Sequence, residues 1–214
     1  MYMAMTKIFA LAALLCFLFV PSFPYAATAQ SGAGQDIAKQ AEQYLQRLGT
    51  AQARFLQTAP DGNQVIGTFY LSRPGRLRFE YDDPIEDFIV ADGLLIYFYD
   101  ADLGQQTNAP IGQTLADFLL RSDLRFSGDV VVSDIRESHD LHQITLTQAA
   151  DPAAGAITLG FTKEPFALKK WHVTDATGAV TEIELFQLQT GISLERRLFI
   201  YADPAHGRQP RYNE

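Results

Sequence analysis

From Ile37 to Leu48 the apolar positions Ile37, Ala41, Tyr44, Leu45 and Leu48 recur at steps of three and four residues, which lines one face of an α-helix. Lys39, Gln40, Gln43 and Arg47 fill the opposite face, and Gly49 stands where a helix stops. The segment predicts an amphipathic helix, and such a helix has to lie on something apolar. Beyond it the period changes to two. In Arg76–Tyr81, Leu77, Phe79 and Tyr81 alternate with Arg76, Arg78 and Glu80, the pattern of a strand. Val65–Leu71, Phe88–Ala91, Leu94–Tyr99, Val130–Ile135, Leu141–Thr147, Ala156–Phe161, Leu168–Thr174, Val180–Leu188 and Glu195–Tyr201 read as further strands, about ten in all. Asp92-Gly93 between two of them is a strong hairpin signal, and Asp175-Ala176-Thr177-Gly178 marks another turn.

Short turns between consecutive strands mean antiparallel meanders rather than crossover units. One other helix is predicted, after Thr114, which can cap a short segment with Leu115, Phe118 and Leu119 along one side. Two isolated helices in a run of strands predict a mainly β (α+β) fold, a large curved antiparallel sheet whose concave face the helices cover. No repeat or linker divides residues 30–214, and Gln148 to Gly155 reads as a long turn, so this span is predicted to be a single domain.

The start of the chain has a different character. Lys7 gives a short positive beginning, Ile8–Val20 is a nearly unbroken apolar run, and Pro21 and Pro24 precede Ala27-Thr28-Ala29. Together these predict a cleaved signal peptide over residues 1–29. The run falls short of the roughly 20 residues a spanning helix requires, and an uncleaved anchor is the competing reading. Cys16, the single cysteine, lies inside this run, so cleavage leaves a thiol-free chain suited to an oxidising compartment.

Across 214 residues, 17 Lys+Arg face 25 Asp+Glu for a formal charge of −8. That balance speaks against nucleic acid as the main partner, because phosphate binding needs a basic face. With 47% hydrophobic and 20% charged residues, the chain has ample material for a core and does not read as disordered.

Signatures of catalysis or metal binding do not emerge. His139 and His142 are three apart, which on a strand sends them to opposite faces. Asp82-Asp83 and Glu86-Asp87 flank Pro84 in a loop, whereas a paired-carboxylate hydrolase needs such groups in a cleft. The chain has no glycine-rich phosphate loop and no nucleophile elbow. Neither a metal, a cofactor nor a catalytic residue is predicted. What remains is surplus hydrophobicity. Leu94–Tyr99 is apolar on both faces, with Leu94, Ile96 and Phe98 on one and Leu95, Tyr97 and Tyr99 on the other. Either this strand is covered on both sides or one face lines an apolar cavity.

The run Gly67-Thr68-Phe69-Tyr70-Leu71-Ser72-Arg73-Pro74-Gly75-Arg76-Leu77-Arg78-Phe79 resembles the strand–Arg-Pro–strand signature of the LolA family, periplasmic carriers of outer-membrane lipoproteins. The likeness continues through Pro84, Ile89-Val90-Ala91-Asp92-Gly93 and Tyr97-Phe98-Tyr99-Asp100. It takes in Phe55-Leu56-Gln57 and the closing Phe199 and Pro204, and it is firm over residues 50–120. The resemblance implies an unclosed β-barrel with a helical lid, at Leu115, Phe118 and Leu119, over an apolar cavity. Arg73 matches the family's lid-bonding arginine, although by itself it reads as an ordinary strand-end arginine. Leu77, Phe79, Tyr81, Ile89, Tyr97 and Tyr99 become the implied cavity residues. Arg76 and Arg78 depart from the family by adding positive charge beside Arg73, a placement suited to an anionic headgroup.

On this resemblance the expected function is a monomeric, non-catalytic periplasmic carrier for the acyl chains of lipoproteins. It implies an inner-membrane lipoprotein-releasing ABC transporter as the supplier and allows for an outer-membrane acceptor. The competing readings are a binding or sensing module on the same fold for another lipid or glycolipid, and a secreted hydrolase. An outer-membrane barrel is disfavoured by the helices.

Overall fold

A computed structural model describes residues 32–114 and 116–204. The predicted signal peptide and Leu115 lie outside the described residues. Helix α1 (Gly32–Arg47) precedes β1 (Thr50–Thr58), β2 (Gln64–Ser72), β3 (Arg76–Tyr81), β4 (Phe88–Asp92), β5 (Leu95–Asp100) and β6 (Gln105–Pro110). A 3-10 turn (Ile111–Gln113) and α2 (Asp117–Leu120) lead to β7 (Val130–Glu137), β8 (Leu141–Gln148), β9 (Gly155–Thr162), β10 (Ala167–Asp175) and β11 (Val180–Thr190). The strands form one sheet in the order β6-β5-β4-β3-β2-β1-β11-β10-β9-β8-β7. Two antiparallel meanders are joined where β1 pairs with β11, Ala51 opposite Thr190. β6 and β7 remain as free edges, so the sheet does not close into a barrel.

The periodicities resolve as physical faces. In α1, Ala41 and Leu45 are completely buried, while Lys39, Gln40, Gln43 and Arg47 are exposed. Leu77, Phe79 and Tyr81 of β3 join the same core cluster as α1 and α2, which defines the inner, helix-covered face of the sheet. Ring contacts measure its curvature. Trp171 of β10 lies four strands from β3, a separation of roughly 19 Å on a flat sheet, yet its ring centroid is 6.2 Å from that of Phe79. Phe69 bridges them, 4.9 Å from Phe79 and 5.6 Å from Trp171.

Gly67 permits part of this bend. It pairs with Phe55 on one side and Tyr81 on the other, and the Phe55 ring lies across it. A Cβ at this position would stand 2.2 Å from the Glu80 carbonyl oxygen and 2.7 Å from the Phe55 ring.

Two strands lie where periodicity predicts none, and two expectations require correction. Strand β1 was not predicted, because its inward positions Ala51 and Ala53 are small and give little alternation, and β6 is almost wholly polar (Gln105–Pro110). Glu195–Tyr201 is not a strand but contains a 3-10 turn, Arg196–Phe199. The interior strands β1 and β11 already have two neighbours each, and this segment instead packs Leu198 and Phe199 against Tyr70 on the outer face. Thr114 does not cap α2. Its hydroxyl donates to the Ile111 carbonyl at 2.8 Å and closes the preceding turn, while Ala116 precedes α2.

Gly67→Val is expected to cost about 1–3 kcal/mol by overpacking, whereas Gly49→Ala, with nothing within 4 Å of the added carbon, leaves stability nearly unchanged. Chemical denaturation of the two variants checks this.

Candidate functional site

Arg73 lies in the turn between β2 and β3, between the C-terminal ends of both helices. One guanidinium nitrogen donates to the Leu45 carbonyl in the last turns of α1. The other donates to the Arg121 carbonyl, immediately after α2, at 2.7 Å. Carbonyls at helix C-termini lack partners within the helix and carry the negative end of its dipole, so a cation is the suitable donor. The main chain adds two bonds of its own, from Arg73 N to Gly49 O at 2.7 Å and from Gly75 N to Leu120 O at 2.9 Å.

The turn that presents Arg73 is itself tightly fitted. Gly75 has φ of 80°, and a Cβ there would meet the Gly93 Cα at 2.9 Å. Two adjacent hairpin turns therefore touch through glycines. Desolvation by burial lowers the Arg73 pKa, and its Nε is buried with no hydrogen-bond partner. Its two bonds to α1 and the lid both go to neutral carbonyl groups, so they satisfy the donors without cancelling the charge.

Beneath the helices the inner face is aromatic. Phe55 makes edge-to-face contacts with Phe79 and Tyr81 at 5.1 and 5.4 Å, and Phe69 and Trp171 continue the cluster. Leu77, Phe79 and Tyr81 are all at most 8% exposed, and Ile89 packs against the same cluster from β4. Tyr81 donates to the Gln57 side chain at 2.9 Å, and burial pushes its hydroxyl up to about 12. Tyr81 therefore adds no charge to this face near neutrality. Phe118, Leu119 and Leu120 cover it from α2, and Tyr44 of α1 meets Phe161 at 5.7 Å.

Tyr97 and Tyr99, also expected here, lie on the other side of the sheet. Pairing of Val90 with Tyr97 and of Phe88 with Tyr99 places both on the face carrying Arg78 and Glu80. There Tyr97 stacks on Tyr201 at 4.6 Å and Tyr99 on Phe88 at 5.1 Å. Ile96 and Phe98 take the inner positions instead. Ile96 is 3% exposed and Phe98 40%, so the inner side of this strand is only partly covered. Arg78 also fails to add charge beside Arg73. It is 2% exposed on the outer face, 3.8 Å from Glu80 and over the Phe88 ring. Asp82 of the acidic loop pairs with Arg54 at 2.8 Å, and Asp87 accepts from Ala101 N at 2.8 Å.

Sequence reasoning missed Phe55, Phe69 and Trp171 as members of this face. Alternation within β2 and β10 carried the signal for Phe69 and Trp171; Phe55 required β1 to be identified first. Arg73's acceptors are main-chain carbonyls, which no residue pattern reveals.

The profile of the family described as outer membrane lipoprotein carrier protein LolA matches residues 46–202. Among curated relatives, a protein from Methylococcus capsulatus is 29% identical over 170 residues, covering 76% of this chain and 81% of its own. One from Legionella pneumophila is 30% identical over 168 residues, covering 75% and 82%, and one from Leptothrix cholodnii is 27% identical over 170, covering 76% and 79%. Each bears the name outer-membrane lipoprotein carrier protein. The match extends past the Arg-Pro signature through β7–β11 to the outer-face segment, and the chain belongs to the LolA family.

Proposed function

We propose that this chain is a periplasmic, non-catalytic carrier that holds the acyl chains of lipoproteins against its inner face and moves them from the inner to the outer membrane. The observation that carries the reading is the pairing of a continuous aromatic and aliphatic inner face with a short lid tied down by Arg73. The family match supports lipoproteins as the cargo. The cleaved leader, the single domain over residues 30–214, supply by an inner-membrane ABC transporter and delivery to an outer-membrane acceptor belong to the same proposal.

The energetics suit a shuttle. Each methylene removed from water contributes about 0.8 kcal/mol, so a chain of a dozen or more gains roughly 10 kcal/mol. The same chain gains a similar amount in a bilayer, so handover needs no large driving force. Leu77, Phe79, Tyr81 and Ile89 on the sheet, with Phe118 and Leu119 on α2, are the proposed contacts. For chains to reach them α2 has to lift, and Arg73 then loses the Arg121 carbonyl. Reforming that bond favours the closed protein and assists expulsion of the cargo. Arg73 thus acts as a latch, with no bond-making chemistry.

Native mass spectrometry of protein recovered from its own periplasm, followed by lipid extraction, tests the cargo. Lipoproteins bound one to one are expected; phospholipid or glycolipid in their place would overturn the lipoprotein assignment. Arg73→Leu is expected to keep the fold and slow release to an acceptor on the order of tenfold or more, since hydrogen bonds from a charged donor contribute about 1.5–3 kcal/mol. Transfer at the unaltered rate would count against the latch. Trp171, the single tryptophan, supplies an internal probe, and a brominated acyl chain is expected to quench its fluorescence in proportion to occupancy.

A further inference from the structure

Residues 111–129 connect β6 to β7, the two free edges of the sheet. The lid is therefore the part of the chain that runs from one edge of the opening to the other, and whatever fixes its far end helps to keep the opening shut. At that end stands Arg121. Its Nη1 donates to both carboxylate oxygens of Asp129, at 2.9 and 3.0 Å. Its Nη2 pairs with Asp117 inside α2, and its guanidinium carbon lies 5.9 Å from the centre of the Phe118 ring. The bond to Asp129 differs in kind from the bond to Asp117. Asp117 belongs to the lid, whereas Asp129 immediately precedes β7 and is fixed to the β7–β8 end by its carbonyl, which accepts from Ala149 N at 2.9 Å.

An open cleft of about 170 Å³ lies along this seam. Gly112 and Thr114 border it on the β6 side, Asp129, Gln148 and Ala150 on the β7–β8 side, and Phe118 with Arg121 between them. The Arg121 side chain spans the line along which lid and sheet edge would part, while its own main-chain carbonyl is the acceptor for Arg73.

We propose that Arg121 is a positioning residue for lid closure, its ion pair with Asp129 stapling α2 to the β7 edge and holding the Arg121 carbonyl in line with Arg73. This rests on residues 111–129 being a moving lid. Two fastenings of different physical character then meet at one residue. The Arg73 bond joins a partly buried cation to a neutral carbonyl and has little dependence on salt. The Arg121–Asp129 pair has one member 73% exposed and is open to screening. The Arg121 guanidinium also holds the Asp129 carboxyl below its ordinary pKa, consistent with an intact pair near neutrality. Closure of the lid thereby becomes sensitive to ionic strength.

The test is hydrogen exchange of the α2 amides, 117–121, in the full mature chain without ligand, from about 0.1 M to about 1 M salt, where the screening length falls from roughly 10 to roughly 3 Å. The unaltered protein is expected to exchange roughly two- to fivefold faster at high salt, the range of a partly exposed ion pair. Arg121→Gln, which removes both of its ion pairs, should be faster by that factor at low salt and then indifferent to salt; Asp129→Asn, which keeps the pair with Asp117, should be faster at low salt with a smaller salt response, while Asp129→Glu restores the full response. The backbone carbonyl survives in every variant, so a merely structural side chain would leave the salt response in place. Exchange in Asp129→Asn equal to that of the unaltered protein, or no salt response in the unaltered protein, overturns the staple. Quenching of Trp171 by a brominated acyl chain, measured in parallel, reports on the carrier reading separately, because exchange of the lid requires no ligand.

Discussion

The guanidinium of Arg73 sits where both helix C-termini converge, and the arrangement above the inner face depends on it. Helix α1 has four turns and buries Ala41 and Leu45, with Leu48 buried just past its end, so its position is secured by packing as well. Helix α2 is a single turn, far below the length at which a helix is stable by itself. Its place comes from three buried apolar residues and from fastenings at its end, the Arg73 bond foremost.

The bend of the sheet supplies the other half of the design. Strands four apart bring Trp171 and Phe79 together, so the inner face presents converging aromatic edges rather than a flat apolar plane. Edge-to-face rings of this kind can separate and slide without leaving polar groups unsatisfied, and Tyr81 finds its partner, Gln57, within the sheet. The outer face follows a different rule. It buries Arg78 and Glu80 beneath a segment bearing Leu198 and Phe199, and separating buried charges from their surroundings is costly.

Much of the fold was legible in the sequence wherever hydrophobic alternation was strong. The polar side of α1, the inner side of β3 and the Asp92-Gly93 turn each followed from residue spacing. β6 escaped because an edge strand covered on neither face needs no apolar residues. Arg73 was singled out by resemblance to a family and not by its chemistry, since its two carbonyl partners belong to residues whose side chains have no bearing on the bond. Tyr97 and Tyr99 were set on the wrong face because β5 is apolar on both, and only the pairing register with β4 distinguishes them. Arg121 carried no signal, because a basic residue after a helix is ordinary and its partner eight positions on becomes meaningful only once β7 is placed.

The junction of β1 with β11 has a consequence for the order of folding. Each meander is a succession of local hairpins and can form as the chain becomes available. Ala51, however, has to wait for Thr190, and contacts of such large sequence separation are slow to form. Until β11 docks, Phe55, Phe69 and Phe79 stand on a half-sheet without Trp171 opposite them. Docking of β11 completes the curved inner face, and a chain interrupted before it would leave that apolar surface without its opposite side.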